Sequence, residues 1–155
     1  MKKNFPLLVV LLLVLTIYPA RADAIESFRG LRWGQSLDSM SYMKFVKELD
    51  GLRYYVKMND RMYMGDAALD WIRYAFESNR LVGVILSSRG SENARLILGL
   101  LREAYGTPSK RNNGGYYWPI GKISLSYNFN LHNERMFVSY LSEPAISHLI
   151  LSEFW

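Results

Sequence analysis

The sequence predicts an α+β fold: an antiparallel sheet with one main helix packed on one face, plus short N- and C-terminal helices. Three observations lead to this prediction. Apolar residues recur at helical spacing over 91–105, stretches with period-two alternation flank that segment on both sides, and polar or glycine-containing turns separate the stretches. No low-complexity segment or linker interrupts the pattern, so one domain is expected.

The helix predicted over 91–105 has a signal at each end. Ser91 is a candidate N-cap, and Glu92 lies in the first turn, where a negative charge is favourable. Gly106 ends the helix and Pro108 follows it. The apolar stripe consists of Ala94, Ile97, Leu98, Leu101 and Tyr105.

Alternating apolar and polar residues predict the strands. Asp50-Gly51 is a tight-turn pair, which predicts a hairpin between 43–47 and 52–58. The other predicted strands are 71–77, 81–86, 116–118, 123–129 and 136–140, with a loop at 112–115.

Two weaker patterns predict the short terminal helices. In the first, Ser36 caps a helix that ends near Met40. In the second, apolar residues at helical spacing run over 142–154, and Pro144 lies in the first turn, where proline is tolerated.

The first 22 residues have the three parts of a secretory signal peptide. Lys2 and Lys3 form the basic start, an apolar run follows over 7–17, and Ala20-Arg21-Ala22 supplies the small residues that a signal peptidase reads. A membrane-spanning helix needs about 20 apolar residues, more than this run offers. We therefore expect residues 1–22 to be a cleaved signal, 23–155 to be the mature domain without a membrane span, and the protein to be periplasmic or secreted.

Composition excludes several kinds of chemistry. The full chain has 19 basic and 14 acidic residues, a net charge of +5, but Lys2, Lys3 and Arg21 leave with the signal and lower it to +2. A nucleic-acid partner, which favours a strong basic excess, is therefore not expected. Because the chain has no cysteine, disulfides, thiol catalysis, thiolate metal sites and lipid attachment to an N-terminal cysteine are excluded.

The histidines and carboxylates form no recognisable catalytic or metal-binding motif. His132 falls in a predicted turn, and His148 has no second ligand three or four residues away on its predicted helix. The acidic side chains left for a carboxylate hydrolase are Glu48 with Asp50, Glu77, and the group Asp60, Asp66 and Asp70. Because nothing in the sequence fixes their separation, we expect no catalytic residue, no metal and no cofactor.

One face of the predicted sheet combines aromatic and basic residues. If the helix covers the face with Tyr54, Val56, Ile72, Tyr74 and Phe76, the opposite face carries Arg53, Tyr55, Lys57, Trp71 and Arg73. Such mixtures are typical of protein-binding surfaces, so these five residues are the candidate binding site for an anionic partner. A terminal helix or a loop covering this face, or ordinary cross-strand pairing, would explain the same residues without binding.

A short motif near the mature start resembles a group of small exported bacterial proteins of unassigned function. The motif is Phe28-Arg29-Gly30-Leu31-Arg32-Trp33-Gly34, and it is followed by Tyr74-Ala75-Phe76, Tyr105-Gly106-Thr107-Pro108 and Tyr117-Trp118. The chain is also loosely similar to BamE/SmpA-like and β-lactamase-inhibitor-like modules, which bind other proteins. The resemblance implies export and a similar fold, and it transfers no active site.

The function that these observations favour is an exported, non-enzymatic module that binds another protein or an envelope component. Two alternatives stay open: a carboxylate-dependent hydrolase acting on an envelope polymer, and a carrier of a small apolar ligand with a cavity between sheet and helix. The oligomeric state is open as well.

The signal peptide gives the first testable prediction. Protein recovered after export should begin at Asp23 and contain 133 residues, because the small residues at positions 20 and 22 direct cleavage after Ala22. Intact mass and N-terminal sequencing measure this directly. Recovery of the uncleaved 155-residue chain from the membrane fraction would contradict it.

Overall fold

A computed structural model describes residues 25–111 and 115–146. The predicted signal peptide with its cleavage site, most of the predicted loop at 112–115, and His148 with the rest of the second short helix lie outside the described residues. Within them, no helix is both long enough and apolar enough to cross a lipid bilayer.

The described chain is mainly β. Its strands are β1 (Ser27–Phe28), β2 (Leu31–Arg32), β3 (Met43–Leu49), β4 (Leu52–Lys57), β5 (Tyr63–Met64), β6 (Ala67–Ala68), β7 (Trp71–Glu77), β8 (Arg80–Arg89), β9 (Ser109–Lys110), β10 (Tyr116–Ile120), β11 (Ile123–Asn130) and β12 (Arg135–Ser142). Eight of them form one antiparallel sheet in the order β3-β4-β7-β8-β12-β11-β10-β9, while β1-β2 and β5-β6 are separate small hairpins. One helix, α1 (Ser91–Tyr105), joins β8 to β9.

The predicted α+β class with short terminal helices is therefore wrong. Where the first short helix was expected there is a single 3-10 turn, Leu37–Ser39, capped by Ser36. Where the second was expected, the described residues contain a single α-helical turn, Glu143–Ile146. The strand content was underestimated at strand ends and in short hairpins. Strand β8, predicted over 81–86, runs from Arg80 to Arg89, because the buried polar residues Ser87 and Ser88 extend it beyond the apolar run. Five further strands have two residues each, too few to show an alternation: β1, β2, β5, β6 and β9.

The helix matches the predicted bounds and packs on one face of the sheet. Ala94, Ile97 and Leu101 are buried against the sheet, and Gly106 donates its N–H to the Arg102 carbonyl at the helix end. The N-cap differs from the prediction: it is Gly90, without a side-chain cap, and Ser91 is the first helical residue. We call the covered side of the sheet the helix face and the other side the reverse face.

One row of paired residues on the helix face crosses seven strands. Directly paired residues in an antiparallel sheet project their side chains to the same face. From the β10 side to the β3 edge, the row is Trp118, Leu125, Tyr140, Val84, Tyr74, Tyr55 and Phe45. All are buried except Phe45, which is 48% exposed.

The Phe28-Arg29-Gly30 motif lies over the middle of this row as the β1-β2 hairpin. Its turn needs positive φ at two successive residues, Arg29 (49°) and Gly30 (82°). The ring centroid of Phe28 lies 5.2 Å from that of Tyr140 and 6.2 Å from that of Tyr74. The motif thus helps to cover the sheet beside α1.

Arg29 ties this hairpin to the loop after β4. Its guanidinium lies 2.9 Å from the Asp60 carboxylate and also donates to the carbonyls of Arg61 and Tyr63. The second Asp60 oxygen accepts a 2.6 Å hydrogen bond from the Tyr74 hydroxyl. Since only 4% of the Asp60 side chain is exposed, both of its partners compensate a buried charge.

This cluster predicts a difference between two carboxylate deletions. Asp60→Ala should lower the free energy of unfolding by about 1–3 kcal/mol, because it leaves a buried hydroxyl and a part-buried guanidinium without their acceptor. The matched control, Glu92→Ala, removes the carboxylate of an exposed ion pair on α1 and should lower the free energy of unfolding clearly less than Asp60→Ala does. Urea unfolding measures both values. Equal losses would show that the Asp60 contacts do not stabilise the fold.

Buried tyrosines on the helix face predict weakening at alkaline pH. Burial raises the pKa of Tyr127 to about 12, and burial together with the Tyr105 hydroxyl raises the pKa of Tyr140 well above its usual value of 10. Since these folded-state pKa values exceed the unfolded one, their stabilisation is complete below pH 10 and is lost as the pH rises towards 12. The loss should be on the order of 1 kcal/mol per pH unit for each tyrosine. Urea unfolding between pH 9 and pH 11 tests this, and a flat profile above pH 10 would contradict it.

Candidate functional site

The five sequence-predicted binding residues do not share one face of the sheet. Tyr55 pairs with Tyr74, which places Arg53, Tyr55 and Lys57 on the helix face. Trp71 pairs with Ser87 and Arg73 pairs with Ile85, on the reverse face. The structure therefore divides the proposed site into two groups, at different places on the sheet.

The first group lies at the β3 edge and is joined there by two aromatic residues outside the predicted site, Tyr42 and Phe45. Phe45 pairs with Tyr55, and their ring centroids are 5.6 Å apart in an edge-to-face arrangement. Tyr42 immediately precedes β3. We call Tyr42, Phe45, Arg53, Tyr55 and Lys57 the β3–β4 surface.

Each cation of the β3–β4 surface lies over an aromatic ring. The Arg53 guanidinium carbon is 5.3 Å from the centroid of Phe45 and 5.6 Å from that of Tyr55. The Lys57 ammonium is 5.5 Å from the centroid of Tyr42. Such contacts contribute about 0.5–1 kcal/mol each at exposed sites and restrict the long side chains. The surface therefore presents positioned positive charges beside an exposed ring.

The surroundings of this surface are basic and only partly neutralised. Strands β3 and β4 with their turn contain four basic side chains and two acidic ones, Glu48 and Asp50. Glu48 lies 3.7 Å from Arg53, and both side chains are more than half exposed. An exposed pair of this kind is weak, so Arg53 can exchange Glu48 for a carboxylate of a partner at small cost.

The second group, Trp71 and Arg73, is more enclosed. The Arg73 guanidinium stacks 4.2 Å from the Trp71 centroid, and Trp71 packs against Phe137 at 6.0 Å. Burial lowers the pKa of Arg73 from its ordinary value. Much of the surface of this pair therefore contacts the sheet itself.

The acidic residues considered for hydrolysis take separate places. Asp60 holds Arg29 and Tyr74, whereas Asp66 lies in the β5-β6 turn and Asp70 directly precedes β7. Glu48 pairs with Arg53, and Asp50 occupies the β3-β4 turn with a φ of 49°. His132 lies in the exposed turn between β11 and β12. Among residues 25–111 and 115–146, no group of three or more histidine, aspartate or glutamate residues is arranged to hold a metal ion.

An apolar depression of about 590 Å³ lies at the end of the sheet beside the β10-β11 turn, where Ile25, Trp33 and Ile123 are among its walls. A carrier is expected to have its ligand cavity elsewhere, between the sheet and the helix. In that interface Ile97, Leu101 and Leu125 are fully buried, so side chains pack where the cavity is expected.

Comparison with known proteins adds no relative: no family model matches the chain, and no curated protein or solved structure is significantly similar to it. The candidate site therefore rests on its own geometry.

Proposed function

We propose that the chain is an exported, non-enzymatic module of the cell envelope that binds another protein through the β3–β4 surface. The observation that carries the proposal is Phe45, the one exposed member of the seven-strand row, lying beneath the Arg53 guanidinium at an edge of the sheet that no described strand covers. Aromatic residues and arginine are enriched at the centres of protein interfaces. Aromatic rings bury large areas with few rotatable bonds, and the planar guanidinium stacks on rings and binds carboxylates through two hydrogen bonds. The basic surroundings favour an acidic partner surface.

In-cell crosslinking tests this proposal. A photoreactive amino acid at position 45 should give one discrete adduct. The same group at Leu131, which is 81% exposed in the β11-β12 turn, should not give that adduct. The double reversal Arg53→Glu with Lys57→Glu should reduce the adduct at least about tenfold, since the charges that attract the partner are inverted.

A matched charge control accompanies this experiment. Arg89→Glu with Lys110→Glu changes the net charge equally at two exposed positions away from β3 and β4, and it should leave the adduct intact. Equal adducts from positions 45 and 131, equal losses in the two double variants, or no adduct at position 45 in folded, exported protein would each overturn the proposed function.

A further inference from the structure

Strand β3 is the terminal strand of the eight-stranded sheet within the described residues. It has seven residues, whereas β9 at the opposite edge has two. An edge strand presents main-chain N–H and C=O groups that can pair with an added strand. Phe45 and Val46 are 48% and 41% exposed on β3, so the longer edge also offers apolar side chains.

The hydrogen-bond pattern identifies the outward-pointing main-chain groups. Met58 donates its N–H to the carbonyl of Tyr42 at 3.0 Å, which makes Tyr42 and Met58 a hydrogen-bonded pair. Such pairs alternate with non-hydrogen-bonded ones along an antiparallel ladder. Lys44 therefore bonds to β4, and the N–H and C=O of Phe45 point away from it.

A β-bulge at Val46 determines which face of the sheet the lysines of this edge occupy. The register between β3 and β4 shifts between Phe45 and Lys47, so that Lys44 pairs with Val56 and Lys47 pairs with Tyr54. Val56 and Tyr54 are two residues apart on β4, so both lysines project to the reverse face although they are three residues apart. The edge thus has two lysines on one side and Phe45 on the other.

We propose that the partner supplies an extended segment that adds to the sheet as a strand alongside β3, with acidic side chains alternating with apolar ones. The acidic side chains lie against Lys44 and Lys47, the apolar ones lie against Phe45, and the Phe45 main chain pairs with the segment. A second copy of this chain fits poorly, because edge-to-edge pairing would bring the lysines of both copies together. This inference rests on the proposed function, since the apolar side chains of the segment cover Phe45 of the β3–β4 surface, while Lys44 and Lys47 on the reverse face add two positive charges outside that surface.

Two substitutions of Phe45 separate main-chain pairing from side-chain contact. Phe45→Ala removes the ring, and Phe45→Pro removes the ring together with the outward N–H. Both variants should have similar melting temperatures, because that N–H makes no bond to β4. Lys44→Pro is the register control and should be clearly less stable, because the N–H it removes belongs to the ladder.

The probe is a synthetic peptide that alternates glutamate with valine, and its twin carries lysine for glutamate. Fluorescence anisotropy gives affinities, and amide NMR shifts of the exported protein locate the site. We expect the glutamate peptide to bind and to cause amide shifts centred on Phe45 and its neighbours. The lysine twin should bind at least about tenfold more weakly. The Phe45→Pro variant should bind the glutamate peptide at least about tenfold more weakly than Phe45→Ala does.

Three results would overturn strand addition. The first is that Phe45→Pro and Phe45→Ala bind the glutamate peptide with equal affinity. The second is that millimolar glutamate peptide causes no amide NMR shifts on β3. The third is that vesicles of anionic phospholipid bind more strongly than the peptide does, and equally to the two variants. Each can occur while the Phe45 adduct and its loss on charge reversal persist in cells. Failure of this inference is thus distinguishable from failure of the proposed function.

Discussion

The register of the main sheet is the constraint on which the rest of the structure depends. A slip of one residue in any strand would move its side chains to the opposite face. With the register as it is, Tyr74 and Tyr140 lie beneath the β1-β2 hairpin, and Leu125 and Tyr127 belong to the cluster that contains the α1 residues Ile97 and Leu101. The same register brings Phe45 to the end of the row, where its ring remains half exposed. The candidate site is thus a consequence of a row of side chains that extends beyond the hairpin and helix that cover its middle.

The conspicuous sequence motif near residue 28 has a structural role. Phe28 packs on two tyrosines of the row, Arg29 holds the Asp60 loop, and the Trp33 indole donates to the carbonyl of Ile25 at 2.7 Å. The motif after α1 behaves similarly, since the Trp118 indole donates to the Gly106 carbonyl at 2.9 Å. Residues that fix hairpins and helix ends in this way carry no information about a partner.

Local sequence patterns predicted the positions of the helix and the longer strands better than they predicted which face of the sheet each side chain occupies. The bounds of α1 and β7 were obtained from the sequence because a stripe of period 3.6 and an alternation of period two are local properties. Strand β4 shows the limit of this reasoning. Tyr54 and Tyr55 are adjacent and both are buried, so neither face of the strand is marked as polar. Only the pairing of Tyr55 with Tyr74 decides which face receives Arg53 and Lys57. The importance of Phe45 depends on sheet order, which places β3 at an edge, and no pattern within 43–49 reports that.

The two aromatic–basic groups differ in how much of their surface is available to a partner. At Trp71 and Arg73 the guanidinium already has an aromatic ring 4.2 Å away, the indole packs on Phe137, and burial lowers the pKa of the arginine. Binding of a partner to this pair would therefore remove little further surface from water. At the β3–β4 surface, Arg53 is half exposed, its ion pair is weak, and Phe45 has about half of its surface still in water. Because burial of apolar area drives association, the edge retains more free energy for binding than the enclosed pair on the reverse face.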